Sequence, residues 1–451
     1  MMHAGMPGGA PGDWFSDLFG FGERARSRSA SEIRQELRLD GRFIESVKNG
    51  RRYQIGEFGT PSLAELRGTL AAEYRAAQAA NNLRDENRIE RPTSSDPHRA
   101  PQEALERPSP SPGVRRLRLH NVVGDVVAMH AHPANQHATF QVASQLNCLE
   151  FVSQHVVPED GVTGYASDRT QGPACAIACG PATVYRNYFV PMDGGVGQSR
   201  DAQINNLADV EARLANDAND YWRVQGGYTM AGSDGLQRLN ARLAALDERE
   251  LDELRAALRV GVHRDAEVTS TGWGRNLLGA PEQTVTQVLG SACAVAYNAG
   301  ASRPHEWAPL ASLVLEAGYE ATLLAAALSA NARGWERGSA RVYLTLLGGG
   351  VFGNEIAWIT RAIERACDAC ADLPLDVRIV TYSGQIPAAL KDTAARYGGG
   401  ALVDPNADLD AGDAGAVGRL CEMGFARERV SYALAQHRGD ENAALNALLS
   451  G

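Results

Sequence analysis

The run Leu347-Gly348-Gly349-Gly350-Val351-Phe352-Gly353-Asn354 constrains this chain more than any other stretch, because of what flanks it. Residues 341–346, Arg-Val-Tyr-Leu-Thr-Leu, read as a buried strand, and residues 356–363, Ile-Ala-Trp-Ile-Thr-Arg-Ala-Ile, open a helix. Glycines at a strand-to-helix turn permit positive φ and place no Cβ between the backbone and a bound group. The amides of such a turn converge with the helix N-terminus on one spot, which suits an anion such as a pyrophosphate. A tight turn chosen for geometry alone would use the same residues, since a lone glycine-rich loop has little specificity.

Further segments place the loop in an α/β fold. Residues 376–382 form another strand, ending at Tyr382 before Ser383 and Gly384. Far upstream, residues 138–147 read as a strand leading into Ser144-Gln145-Leu146-Asn147. A long polar loop follows, holding Asp160 and Asp168 among Gly161, Gly164 and Gly172, and then a helix of small residues over 174–179. In this order the segments resemble a macrodomain, the α/β/α module that binds ADP-ribose. The resemblance covers roughly residues 117–400 with long insertions, and the glycine run carries most of its specificity. One element departs from the pattern: the usual Asn-Ala-Ala-Asn after the first long strand is replaced by Ser144-Gln145-Leu146-Asn147-Cys148-Leu149-Glu150. The chain looks most like a divergent branch of macrodomains acting as ADP-ribosyl hydrolases, which includes bacterial effectors that work on ADP-ribosylated ubiquitin.

That resemblance implies a site. Gly348, Gly349, Gly350, Val351, Phe352, Gly353 and Asn354 would surround the diphosphate. Asn147 and Gln145, at a strand end, would hydrogen-bond the distal ribose, and Tyr382 would stack on base or ribose. Cleavage at the anomeric carbon builds oxocarbenium character, which carboxylates stabilise and acid–base groups assist. Asp168 and then Asp160 are the expected catalytic acids because of their place in the glycine-rich loop, with Glu150 in reserve. The competing reading is that both aspartates only cap turns.

The C-terminal segment is independent. Val417, Leu420, Val430, Ala433, Leu434, Ala443, Ala444, Leu445, Leu448 and Leu449 recur at helical spacing, and Gly439-Asp440 marks a turn and N-cap. Over residues 413–451 this resembles a ubiquitin-associated (UBA) domain. The resemblance implies that Met423, Gly424 and Phe425, with Leu448 and Leu449, meet the hydrophobic patch of ubiquitin. A three-helix bundle serving dimerisation is the alternative.

Composition adds boundaries. A formal net charge of −10 argues against nucleic acid and anionic membranes as partners. No apolar run approaches the roughly 20 residues of a membrane helix, and the N-terminus lacks the pattern of a secretory signal. Seven cysteines without framework spacing read as reduced thiols, so cytoplasm or nucleus is the expected setting. His130, His132 and His137 lack a Cys or carboxylate at zinc-ligand spacing and read as surface histidines. Neither cofactor nor metal is expected.

The expected organisation is a disordered tail over 1–29, an N-terminal extension packing on the core over 30–84, and a Pro-rich linker over 85–115. A macrodomain-like catalytic domain spans 116–400 with a helical insertion over 200–280, and a linker over 401–412 leads to the UBA domain. The fold class is thus α/β, a three-layer α/β/α sandwich plus a three-helix bundle. The expected function is removal of mono-ADP-ribose from a modified protein, ubiquitin favoured. A non-catalytic reader of ADP-ribose and ubiquitin, or a ubiquitin-shuttle adaptor, are the alternatives.

Overall fold

The structure, a computed structural model, describes residues 13–23, 29–89, 117–336, 338–382, 384–399 and 402–407, together with Leu420, Met423, Phe425, 429–430, 433–434 and 441–450. Its centre is a seven-stranded mixed sheet. In chain order the strands are β1 (Glu57–Gly59), β2 (Arg118–Val123), β3 (Thr139–Ala143), β4 (Gly261–Glu267), β5 (Thr284–Gly290), β6 (Arg341–Leu344) and β7 (Asp376–Thr381). In space they run β1-β4-β5-β3-β6-β7-β2. From β5 to β2 all neighbours are parallel, while β4 is antiparallel to both β5 and β1.

Alternation along the strands divides the core into two layers, because successive side chains leave a strand on opposite faces. Val288, Val342, Leu344, Val377 and Ile379 face one cluster, whereas Phe140, Val142, Val285, Leu289 and Tyr343 face the other. Helices α2 (Leu63–Ile89), α6 (Ala308–Ala332) and α7 (Ile356–Ala369) cover the first face. Helices α3 (Val126–Ala131), α4 (Gln171–Ala178) and α5 (Gly180–Tyr188) cover the second. The result is the three-layer α/β/α arrangement. Because both faces are covered, β6 is buried at every position, as its unbroken apolar run requires.

Several expectations meet a different structure. Helix α6, extended by the turn before it, is long and apolar enough to cross a membrane by length and composition, contrary to the reading of the sequence; in this fold 89% of its most apolar window is buried. Residues 200–280 are not wholly helical, since β4 lies inside them and joins the main sheet. Its polar sequence, His263-Arg264-Asp265, hides the strand, and a bulge with Asp265 at φ 56° breaks the alternation. His130 lies on a helix rather than a strand and is fully buried, its ring stacked on Phe140 at 3.8 Å. Burial lowers its pKa to about 4, so the neutral ring is favoured. No cluster of metal-ligating side chains occurs among the described residues.

The ends of the core also differ from their composition. Residues 13–23, grouped with the tail by their Gly- and Ser-rich surroundings, include the helix α1 (Trp14–Phe19), whose Trp14, Phe15, Leu18 and Phe19 are buried. Within the expected linker, residues 402–407 are pinned: Val403 N–H donates to Asn121 O at 3.2 Å, and Arg378 donates to Pro405 O and Ala407 O at 2.6 Å each. Strands Phe43–Ser46 and Arg52–Gln54 pair as a hairpin around Asn49-Gly50. Ser62 and Glu65 form the reciprocal cap that starts α2.

Candidate active site

Parallel sheets bind ligands in the crevice beyond the carboxyl ends of their strands, where the chain order reverses. Here the reversal falls at β3, with β5 on one side and β6 on the other. Loops leaving Ala143, Gly290 and Leu344 therefore meet.

The loop after β6 is closed by its own atoms. Gly348 and Gly353 take left-handed φ of 69° and 74°. The Asn354 N–H donates to Gly348 O at 2.9 Å, and its side-chain Nδ2 donates to Cys293 O at 2.8 Å on the neighbouring loop. Gly353 N–H reaches Gly350 O at 3.1 Å, and Ala296 N–H donates to Phe352 O at 2.9 Å. Among the described residues the amides of Gly350, Val351 and Phe352 find no acceptor. Gly349, Gly350 and Val351 are exposed at the mouth of the crevice, directly before α7. Open amides beside a helix N-terminus can hold a diphosphate.

The loop after β3 is folded in on itself. Gln145 Oε1 accepts Phe151 N–H at 2.8 Å. Asn147 is fully buried; its Oδ1 accepts Leu149 N–H at 3.0 Å and its Nδ2 donates to Gln203 Oε1 at 2.8 Å. Both atoms of Asn147 thus frame the loop rather than open onto the crevice. Gly227 packs on this frame with φ 82°, and a Cβ there would come within 2.7 Å of Gln145 Cβ.

The acid loop is tied to β3 by Gln171, whose side chain accepts Ala143 N–H at 2.8 Å and donates to Gln141 O at 2.9 Å. Gly172 is required at that junction, since a Cβ would lie 1.9 Å from Ala143 O. Asp168 is half-buried, and its Oδ1 accepts Thr170 N–H at 2.9 Å. Asp160 is exposed and caps its own turn, Oδ2 accepting Val157 N–H at 3.0 Å. Each aspartate therefore makes the local turn bond expected of a cap, and each keeps a second oxygen without a protein partner among the described residues.

An aromatic wall that the sequence did not reveal stands within electrostatic reach of Asp168. Tyr228, Tyr297 and Phe352 stand with ring centroids 4.9–5.6 Å apart. Burial first, then Tyr297, then the Asp168 charge hold the Tyr228 phenol above its ordinary pKa. Tyr228 OH donates to Phe151 O at 2.6 Å, which links the wall to the loop after β3. The doublet Gly226-Gly227 before Tyr228 was the available signal, but it lay in a segment read as a helical excursion.

Beneath these loops sits a buried ion pair. Glu150 and Arg186 are both inaccessible, 3.4 Å apart, and Arg186 also donates to Cys148 O at 2.9 Å and Thr183 Oγ1 at 3.1 Å. Burial raises the Glu150 carboxyl to about 7, against the pull of Arg186. At 0% exposure Glu150 supports the loops and does not reach the crevice.

At the far side Tyr382 follows β7 and is 64% exposed. Two strand spacings, about 10 Å, separate β3 from β7, with β6 between them. A separate cavity of about 600 Å³ lies against β1 between Arg42, Phe58, Tyr185 and Arg264. None of the strand-end loops lines it, so topology and open amides favour the crevice.

In the C-terminal segment, Leu420, Val430, Ala433, Leu434, Ala444 and Leu448 form a small core. Met423 and Leu449 are 57% and 67% exposed. Leu448 is buried, contrary to its expected place on a binding surface, and Phe425 packs partly on the core. Gly424 lies outside the described residues.

Comparison with known proteins gives one family match: residues 413–448 fit the UBA/TS-N domain. The chain therefore carries a C-terminal UBA domain. No curated protein matches the chain. Among solved structures, poly(ADP-ribose) glycohydrolase from Thermomonospora curvata is similar at 14% identity and TM-score 0.36, over 82% of this chain and 96% of that one. The enzyme from Deinococcus radiodurans, solved with ADP-ribose, is similar at 17% identity and TM-score 0.23, over 31% of this chain. The match spans half the length of that protein. At these scores neither likeness assigns this chain an activity, a substrate or a site.

Proposed function

We propose that the α/β domain hydrolyses the bond between ADP-ribose and a protein side chain, with ubiquitin the favoured acceptor. The carrying observation is that the open amides of Gly350, Val351 and Phe352 follow β6 while the acid loop is tied by Gln171 to the end of its neighbour β3, with the Phe352 ring 5.2 Å from Tyr228. In this reading the glycine loop binds the diphosphate, Phe352 and Tyr228 border the distal ribose, and Tyr382 stacks at the other end of the ligand.

Chemistry follows from that orientation. The bond from C1″ to the protein side chain breaks, positive charge develops on the ribose, and the Asp168 carboxylate stabilises it. Asp168 then accepts a proton from the attacking water, whose oxygen bonds to C1″; the departing side chain takes up a proton from solvent, and Asp168 returns its own to solvent. The products are ADP-ribose and the unmodified protein. Asp160, exposed and eight positions earlier, assists at the rim.

The UBA domain supports ubiquitin as the acceptor. Exposed Met423 and Leu449 supply adaptable apolar contact, and tethering a weak binder to a catalytic domain raises the local substrate concentration to roughly the millimolar range. The test compares ADP-ribose release from mono-ADP-ribosylated ubiquitin by the intact chain and by a truncation before Asp413. The expected result is release by both, with KM raised several-fold in the truncation. Tight ADP-ribose binding without release from any conjugate would make the domain a reader instead.

A further inference from the structure

The acid loop is held from outside by the N-terminal segment. Glu23 is 3% exposed, and its carboxylate accepts three hydrogen bonds: Val162 N–H at 2.9 Å, Thr163 N–H at 2.7 Å and Tyr188 OH at 2.7 Å. Two of these donors are consecutive amides two and three positions after Asp160, in the stretch that leads to Asp168. Charge-assisted bonds of this kind are the stronger class and fix backbone direction as well as position.

The surrounding body is shaped to receive this segment. A Cβ on Gly161 would lie 2.5 Å from the Glu23 carboxylate, one on Gly180 would lie 2.8 Å from the Trp14 ring, and one on Gly274 would lie 2.4 Å from Trp14 Cβ. Three glycines from three separate segments thus leave room for residues 14 and 23. Carbonyls near the end of α1 are captured from the other side: Ser46 Oγ donates to Phe19 O at 2.6 Å, and Asn49 Nδ2 and Tyr53 OH donate to Leu18 O at 2.9 and 3.0 Å. Trp14, Phe15 and Phe19 share one apolar cluster with Val162, Tyr165 and Ala166 of the acid loop. Tyr165 in turn accepts the Glu150 N–H at 2.9 Å, which connects the cluster to the loop after β3.

We propose that Glu23, carried on the docked N-terminal segment, is a positioning residue that sets the backbone of the acid loop for catalysis. This rests on the reading of Asp168 as the catalytic carboxylate. Glu23 touches no substrate and acts through the Val162 and Thr163 amides. A displacement of the loop by about an ångström is enough to lower turnover up to a hundredfold while leaving ligand binding elsewhere in the crevice intact.

The test uses the full chain with Glu23→Gln, which keeps the shape but turns an NH2 group toward one of the two N–H donors, and with Trp14→Leu, which loosens the dock without touching the carboxylate. Three readouts are taken: kcat and KM for ADP-ribose release from mono-ADP-ribosylated ubiquitin, ADP-ribose affinity by calorimetry, and hydrogen exchange of peptides covering residues 157–170. For Glu23→Gln the expected result is a fall in kcat on the order of tenfold, unchanged KM and ADP-ribose affinity, and faster exchange at residues 162–163. Trp14→Leu is expected to move kcat and exchange the same way, less strongly. Unchanged kcat and exchange in Glu23→Gln, with only a lower melting temperature, would overturn the proposal and leave Glu23 an anchor. If the wild-type chain releases no ADP-ribose, the enzymatic reading fails and the positioning role falls with it, whatever the exchange shows; release by wild type with unchanged kcat in Glu23→Gln removes the positioning role alone.

Discussion

The glycine loop and the acid loop border the same crevice yet are held in opposite ways. The glycine loop is held mainly by local atoms: Asn354 returns to Gly348, and Gly353 returns to Gly350. The acid loop is held by long-range bonds, its own Gln171 reaching β3 and Glu23 reaching across 139 residues to Val162. A loop that closes on itself can present rigid amides to a diphosphate. A propped loop transmits the state of its props to the aspartates it carries.

Substitutions can break or sharpen that contrast. The largest effect is expected at Asp168: Asp168→Ala should lower the rate of ADP-ribose release by about 10²–10⁴-fold, with ADP-ribose affinity changed less than a few-fold. Equal losses of rate and affinity would erase the division of labour between the loops. In the glycine loop the pattern should invert. Gly348→Ala imposes a side chain at φ 69°, with its Cβ 2.5 Å from Ala292 Cβ and Asn354 Nδ2. Calorimetry should show ADP-ribose affinity falling on the order of tenfold or more, since strain of about 1–3 kcal/mol is introduced at the seat itself.

A third effect is thermodynamic. The Glu150 carboxyl is raised above its unfolded value, so its contribution to stability is full below about pH 4.5 and is lost as pH rises through about 7. Glu150→Gln removes this dependence, and urea unfolding at pH 5 and pH 8 measures it. The stability of the variant relative to wild type should be higher at pH 8 than at pH 5, by on the order of 1–3 kcal/mol. A difference independent of pH would contradict the burial argument. The smallest effect lies outside both loops: Met423→Ala should raise KM for ADP-ribosylated ubiquitin a few-fold and leave kcat alone.

The contrast also explains what could be read from the sequence. Strand, glycines and helix lie within about two dozen consecutive residues, and each signal is local, so the glycine loop was legible. The α/β class was legible for the same reason, because β6 and β7 are plain apolar runs. Strand β4 was not, since polar residues and a bulge mask its alternation. The acid loop was located by composition, but its props were not, because Glu23 and Tyr188 join it only through the fold. Trp14, Phe15 and Phe19 carried a signal in their density of aromatics, which their Gly-rich surroundings concealed. Asn147, expected at a strand end, lies four positions past the end of β3 in the following loop, where its Nδ2 is bonded to Gln203, more than fifty positions away. Tyr228 and Tyr297 belong to the same class of residue, gathered at the site by topology alone.

The central claim is that this crevice cleaves ADP-ribose from protein, and a single-turnover measurement tests it most directly. Excess intact chain is mixed with mono-ADP-ribosylated ubiquitin, and free ADP-ribose is followed in parallel for wild type and Asp168→Ala. The account predicts complete release by wild type and release slowed at least a hundredfold by Asp168→Ala with the conjugate still bound. Equal release by both proteins, or none by either while ADP-ribose binds, would contradict it.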